Sequence, residues 1–358
     1  MGFADTADRA GVIASMENVL TFQALFFRHL APPVEQEFGA AGEAAVAAAL
    51  QRYGRWRGEQ MAARHKASGI PNHAESLVVH WDMGDWHCFG ELGAGSVSGN
   101  PRQTQVVTTA TPMWDYFRSQ ALTPLARRYY ATVYAAIAEG YGVEVEIPAS
   151  GPDLVSPWTV TWSKPDQPAA LQRELRSRAL EHELTAVALL RWSAQLNAAL
   201  YYFMADETTQ RFDMAGEAVV RESVRNLARE RAATQRARHH ALGLPLDLVT
   251  LQNHWDGDFV SLWQFDEGIL TPGTWHQDCT WCPYFATWES LGKRAISLGY
   301  IYDYELHPTL YKAYHPDAVV QFEAIKTRGD SRCKFRVSIP SLQAEREPRF
   351  RGYTGQDV

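Results

Sequence analysis

The chain has 358 residues, 46% of them hydrophobic and 21% charged, with a formal net charge of -7. That is enough apolar material for one large domain or two ordinary ones. The acidic balance offers no electrostatic footprint for nucleic acid or an anionic membrane surface, and no apolar run approaches the ~20 residues of a membrane span. The polar, partly acidic start is unlike a secretory signal, and four cysteines are too few for a disulfide framework, so a reduced, cytoplasmic protein is expected.

In chain order, residues 13–30 place Val19, Phe22, Phe26, Phe27 and Leu30 at helical spacing, and Ala31-Pro32-Pro33 is expected to stop that helix. A second helix spans about 41–67 and ends at Gly69 and Pro71. A strand pair is expected at 77–81 and 86–92 around the turn Asp82-Met83-Gly84-Asp85. A helix follows at 112–119. Ser163-Lys164-Pro165-Asp166-Gln167-Pro168 is a polar break, and a long helix over 169–205 opens the second half. A second strand pair is expected at 248–255 and 259–265 around Asp256-Gly257-Asp258. Helices at 286–297 and 308–314 and strands at 318–325 and 333–339 close the chain. Helices first and strands after, without βαβ alternation, indicate an α+β fold with antiparallel strands.

The order repeats because the sequence repeats. Ala63-Arg64-His65 recurs as Ala237-Arg238-His239, Gly69 and Pro71 as Gly243 and Pro245, and His80-Trp81-Asp82 as His254-Trp255-Asp256. All are 174 positions apart, and about 17 of the 42 positions in 41–82 are identical in 215–256. The expected architecture is two tandem copies of one helix-helix-then-sheet domain, 1–165 and 166–358, packed as an internal pseudo-dimer.

Comparing the copies localises the chemistry. The stretch Trp275-His276-Gln277-Asp278-Cys279-Thr280-Trp281-Cys282-Pro283 holds two of the four cysteines, and Cys333 lies beyond it. At the same offset the first copy has Thr104-Gln105-Val106-Val107-Thr108-Thr109. Its own Cys88 faces Leu262. The second copy is therefore expected to hold the site and the first to be scaffold. A site in the first copy would be built on His80, Asp85, His87 and Cys88.

Cys282 precedes Pro283, which suits the first turn of a helix, and a cysteine at a helix N-terminus has its thiolate stabilised by free N–H groups. Cys282 is thus the candidate nucleophile. His276 or His254 is the candidate base, with Asp278 or Asp256 to orient it. Cys279, Cys333, Trp281 and Tyr284 would border the substrate, and Arg238 would clamp a carboxylate. No cofactor is expected under this reading. The competing readings are a structural zinc on Cys279, Cys282, Cys333 and His276, a redox pair, and ordinary buried thiols. Because His254-Trp255-Asp256 occurs in both copies while the cysteines do not, its plainer reading is structural.

The segment Asp278–Pro283, with Leu291-Gly292, Asp303-Tyr304-Glu305 and the closing Gly329-Asp330-Ser331-Arg332-Cys333-Lys334-Phe335, resembles the L-2-amino-thiazoline-4-carboxylic acid hydrolase family. Cys282-Pro283-Tyr284 matches its Cys-Pro-Tyr segment and Gly329-Asp330-x-x-Cys333 its closing motif. The family's intervening Cys-x-x-Asp has no cysteine here, around Ile301-Tyr302-Asp303. The match covers roughly 180–340. The closing motif is more loosely similar to that of vinyl-reductase-type ligand-binding domains. The resemblance implies hydrolytic opening of a C–N or C=N bond in a small ring, at a cysteine-rich site. The looser one implies a non-catalytic pocket for an apolar ligand. The expected partner is a small-molecule substrate, with a homodimer left open.

Overall fold

The computed structural model of the protein describes residues 9–83, 94–147, 159–164, 186–256, 262–345 and 350–351. The chain divides into two compact units, neither of them a continuous half. The C-terminal unit is built from Leu25–Glu43 and the chain from Asn197 onward. The N-terminal unit takes the helix ahead of Leu25 together with Ala44–Leu196.

Helix α1, Arg9–Ala67, runs through Pro32 and Pro33 where a stop was expected. Two prolines remove two N–H donors from the helix ladder. Ala31 and Val34 on either side are buried, and their packing keeps the segment helical. The break falls instead at Gly39, with φ 56 and ψ -135, a conformation that glycine tolerates. Helix α5, Ala186–Ala241, breaks in the same way at Asp213, with φ 46 and ψ -128. Asp213 lies 174 positions after Gly39.

After α1 the N-terminal unit continues with α2 (Ala74–Val79), β1 (Ala94–Asn100), β2 (Gln103–Ala110), α3 (Pro112–Ser119), α4 (Thr123–Tyr141), β3 (Glu144–Glu146) and β4 (Thr159–Ser163). After α5 the C-terminal unit continues with α6 (Leu248–Asn253), β5 (Gln264–Phe265), β6 (Gly268–Thr271), β7 (Thr274–Trp281), α7 (Pro283–Leu291), α8 (Lys293–Tyr314), β8 (Val319–Ala324), β9 (Cys333–Ser338) and β10 (Phe350–Arg351). The fold is α+β with two antiparallel sheets, ordered β1-β2-β4-β3 and β10-β6-β7-β9-β8, with β5 added to β7. The first order and the β6-β7-β9-β8 part of the second correspond strand for strand.

The apolar runs expected as strands at 77–81 and 248–255 are short helices instead. A run this short cannot be assigned by periodicity, and the caps decide it. Ser76 N donates to His73 Nδ1 at 2.9 Å and Thr250 N to Asp247 Oδ1 at 2.7 Å, nucleating a helical turn each time. The sheets begin later, with hairpins that were not anticipated at β1–β2 and β6–β7. The expected helix 308–314 is the end of the continuous α8, which includes Pro308. The expected strand 86–92 lies outside the described residues, as does the polar break 163–168 beyond Lys164. No described helix is long and apolar enough to cross a membrane.

The recurring His-Trp-Asp triplet serves the framework in both units. Arg57 donates to both carboxylate oxygens of Asp82 at 3.2 and 2.6 Å, and Arg231 to those of Asp256 at 2.9 Å each. Each guanidinium lies over the triplet's own tryptophan, Trp81 at 5.1 Å and Trp255 at 5.4 Å from the ring centroid. His65 Nδ1 meets the Tyr141 hydroxyl at 2.6 Å and His239 Nδ1 that of Tyr314 at 2.8 Å.

Candidate functional site

The site grows from the pleat of β7. Trp275, Gln277 and Cys279 are buried, and Thr274, His276 and Asp278 alternate onto the other face. On β9, Cys333, Phe335 and Val337 are buried. The ladder sets Cys279 directly opposite Cys333, so their Cβ atoms are neighbours on one face at roughly 5 Å. Both are free thiols.

Strand β7 ends at Trp281, and Cys282 becomes the N-cap of α7 with Pro283 in its first turn. The Cys282 Sγ accepts from the Phe285 N–H at 3.5 Å and from the Trp263 indole N–H at 3.2 Å. The Cys279 thiol donates to the Trp281 carbonyl at 3.2 Å.

The opposite wall comes from α8 and from the turn between β8 and β9. This turn, Lys326–Arg328, gives physical meaning to Gly329-Asp330-x-x-Cys333. Gly329 adopts φ 100. Asp330 Oδ2 accepts from the Ile325 N–H at 2.8 Å, and Cys333 Sγ accepts from the Lys326 N–H at 3.3 Å. So fixed, the Thr327 hydroxyl donates to Asp303 Oδ2 at 2.9 Å. One turn along α8, His307 Nε2 lies 3.9 Å from Asp303 Oδ1.

Burial sets the electrostatics. The Asp303 carboxyl is pushed up to about 7, opposed by the Thr327 hydroxyl. The His307 imidazole is held down to about 3 by burial and then by Arg231, so it is neutral across the physiological range. The Cys282 thiol is pushed up to about 11 by burial, with the Phe285 N–H pulling the other way and the Asp303 charge adding to the rise. Burial and the Asp303 charge raise Cys333, and burial and Cys282 raise Cys279, both further than Cys282. All three thiols therefore rest protonated, and Cys282 is the least raised of the three.

An aromatic cluster adjoins the thiol through Trp263. Tyr284 stands 5.8 Å from Trp263, 5.7 Å from Tyr302 and 6.4 Å from Phe26 of α1, and its hydroxyl is held by Asn197.

The structure brings Cys279, Cys282, Cys333 and Tyr284 close to one another, with the Trp281 carbonyl accepting from the Cys279 thiol. It does not bring the expected bases with them. His276 and Asp278 alternate away from Cys279. Arg336 donates to Asp278 Oδ1 at 3.0 Å, while burial and then the Arg336 charge lower His276. His254 is the C-cap of α6, its ring 5.8 Å from that of His239. Arg238 is exposed in the last turn of α5. The four proposed zinc ligands are divided by the pleat, and among the described residues no group of His, Cys, Asp and Glu is arranged to hold a metal ion. Asp85, His87 and Cys88 lie outside the described residues. The residues sequence reasoning missed are Asp303, Thr327 and Lys326. Asp303 lay in the stretch compared with the family's Cys-x-x-Asp, but a lone carboxylate on a long helix gives no hint of burial.

In the N-terminal unit the same junction carries different atoms. Strand β2 ends ahead of Thr111, the N-cap of α3, whose hydroxyl accepts from the Trp114 N–H at 3.1 Å, with Pro112 next. Tyr130 of α4 brings its hydroxyl to 3.4 Å from Thr111 Oγ1; on α4 and α8 the offset is 173, as Tyr141 and Tyr314 show, so Tyr130 corresponds to Asp303, whose charge is felt at Cys282. Cap against cap, the offset is 171 rather than 174, so Thr111 and Thr108 stand where Cys282 and Cys279 do.

Fold and site define an α+β protein with a buried thiol–carboxyl cluster at a strand-to-helix junction. Residues 193–337, which include every member of that cluster, match the model of the L-2-amino-thiazoline-4-carboxylic acid hydrolase family, so this part of the chain is similar to a family of hydrolases. No curated protein and no solved structure matches the chain.

Proposed function

We propose that the protein is a hydrolase of a C–N or C=N bond in a small ring, with Cys282 as nucleophile and Asp303 as its proton acceptor. The observation that carries this is the pairing of a thiol at a helix N-cap with a buried carboxyl near 7 on the neighbouring helix. A base is most useful when it titrates close to the working pH. The Cys282 sulfur adds to the electrophilic ring carbon as its proton passes to the Asp303 carboxylate. Asp303 returns that proton to the ring heteroatom as its bond to that carbon breaks. Water, deprotonated by Asp303, then displaces the sulfur, which leaves with the proton, so the net change is addition of one water. The N–H groups of Phe285 and Trp263 donate to the Cys282 sulfur and stabilise the negative charge that builds on it as it attacks and as it leaves. The dual occurrence of the helix kink, the Arg-Asp pair and the strand order supports a duplicated origin, with the N-terminal unit as its non-catalytic copy.

The test is intact-protein mass spectrometry after rapid acid quench during turnover of 2-amino-2-thiazoline-4-carboxylate. The expected result is a substrate-sized adduct on wild type that is absent from Cys282→Ser. Turnover without any adduct, and with Cys282→Ser fully active, removes the nucleophile.

A second reading, a non-catalytic pocket for a small apolar ligand, draws on the ring cluster of Trp263, Tyr284, Tyr302 and Phe26. A co-purified ligand that leaves unchanged, with no turnover of any thiazoline, would favour it.

A further inference from the structure

Lys326 stands apart from the other cations of the C-terminal unit. Its backbone N–H is spent on Cys333 Sγ at 3.3 Å, and the next residue in the turn, Thr327, holds Asp303. Its ammonium lies 5.1 Å from the centroid of the Phe285 ring, and the Phe285 N–H donates to Cys282 Sγ. The residue thus links two places: its backbone holds the thiol of β9, and its side chain reaches the first turn of the helix that Cys282 caps. The neighbouring cations are occupied: Arg231 by Asp256, Arg328 by Asp330, Arg332 by Asp266 and Arg336 by Asp278. Among the described residues no carboxylate lies within ion-pair distance of the Lys326 ammonium, and the side chain is half-buried. The Lys326 charge is felt at Cys279 and Cys333, where it opposes the rise caused by burial.

A half-buried cation with no carboxylate partner among the described residues, over an aromatic face and beside the reacting groups, is poised for an anion brought by the ligand. A single ammonium with no arginine fork beside it matches a singly charged group better than a phosphate dianion. We propose that Lys326 is the anion anchor of the site: its Nζ binds the carboxylate of a small ring substrate and selects acids over their neutral analogues. This rests on the Cys282–Asp303 reading for the location of the ring but not for its chemistry. The anchor touches substrate without taking part in bond making.

The experiment compares wild type, Lys326→Gln and Lys326→Arg on two probes, 2-amino-2-thiazoline-4-carboxylate and 2-amino-2-thiazoline, which lacks the carboxylate. Steady-state turnover and calorimetric binding are both read. The expected result is that wild type prefers the acid and that Lys326→Gln raises its KM and Kd by roughly 10- to 100-fold, the scale of one charge-assisted hydrogen bond. Its kcat should stay within about threefold, because uniform binding is what is lost. Lys326→Arg should recover most of the affinity, and the neutral probe should not distinguish the three proteins. Unchanged KM and Kd for the acid in Lys326→Gln would overturn the anchor and leave the thiol–carboxyl reading standing. Lysine-dependent binding of the acid with no turnover would uphold the anchor and remove the hydrolytic reading. Wild type that neither binds nor turns over the acid would overturn both.

Discussion

The two units solve the same junction with different atoms. Each ends a strand at an N-capped, proline-led helix, and each sets a side chain of the following long helix toward the cap. In the N-terminal unit these groups are the Thr111 and Tyr130 hydroxyls, which lie 3.4 Å apart and hold no proton-accepting charge. In the C-terminal unit they are a thiol and a carboxyl that burial drives toward neutrality. Burial that is harmless to a hydroxyl is what makes Asp303 a group that titrates near 7. The difference teaches that the junction supplies position, and only the residue types placed there supply chemistry.

The largest expected effect separates the units at this pair. Asp303→Asn keeps an acceptor for Thr327 but removes the proton acceptor, and kcat should fall by roughly 10²–10⁴-fold. Tyr130→Phe, the corresponding change in the N-terminal unit, should leave turnover within about twofold. Stability should move the other way for Asp303→Asn. The Asp303 carboxyl titrates near 7, above an ordinary carboxylate, so the folded state resists its ionisation and stability is lost as pH rises through that range. The asparagine variant should therefore melt higher than wild type at pH 8 and show little gain at pH 4. A variant both inactive and less stable at pH 8 would make Asp303 a structural residue.

The framework should show the reverse asymmetry. Asp82 and Arg57 are each 1% exposed, whereas Asp256 is 16% exposed and Arg231 6%. Removing one partner of a buried pair strands a charge at a cost of about 3–5 kcal/mol. Asp82→Asn should thus cost more in urea unfolding than Asp256→Asn. Equal losses would mean that burial is not what distinguishes the two pairs.

The same carboxyl predicts the pH profile. Below about 7 Asp303 is protonated and cannot accept the Cys282 proton, so log kcat/KM should rise with unit slope up to about pH 7. It should then stay level toward the Cys282 range near 11. A profile flat from pH 5 to 8 would place the base elsewhere. The smallest effect concerns the helix kinks. Asp213 holds a positive φ that Gly39 supplies at the corresponding place, so Asp213→Gly should stabilise the protein by about 1 kcal/mol, read as a higher Tm with unchanged activity.

Much of this was legible in the chain. Cys279, Cys282 and Cys333 stand out because none has a counterpart in the first half, and Cys282-Pro283 identifies a helix N-terminus by cap chemistry that is local. The closing strands β8 and β9 alternate cleanly enough to be read. What was not legible depends on partners distant in sequence. His276 looked like a base because it is six residues from Cys282, but one step of strand parity turns it to the other face. Asp303 became a candidate only when α8 packed beside α7 and the Gly329-Asp330 turn delivered Thr327 to it. The runs at 77–81 and 248–255 have no periodicity to separate strand from helix, and the caps His73 and Asp247 settle the matter.

The central claim is that the chemistry resides in the C-terminal junction and passes through Cys282. It is tested most directly by kcat/KM for 2-amino-2-thiazoline-4-carboxylate in Cys282→Ser and Thr111→Ala measured side by side. The account predicts a loss of at least about 10³-fold for Cys282→Ser, the scale of a missing nucleophile, and no change beyond about twofold for Thr111→Ala. Full turnover by Cys282→Ser would contradict it.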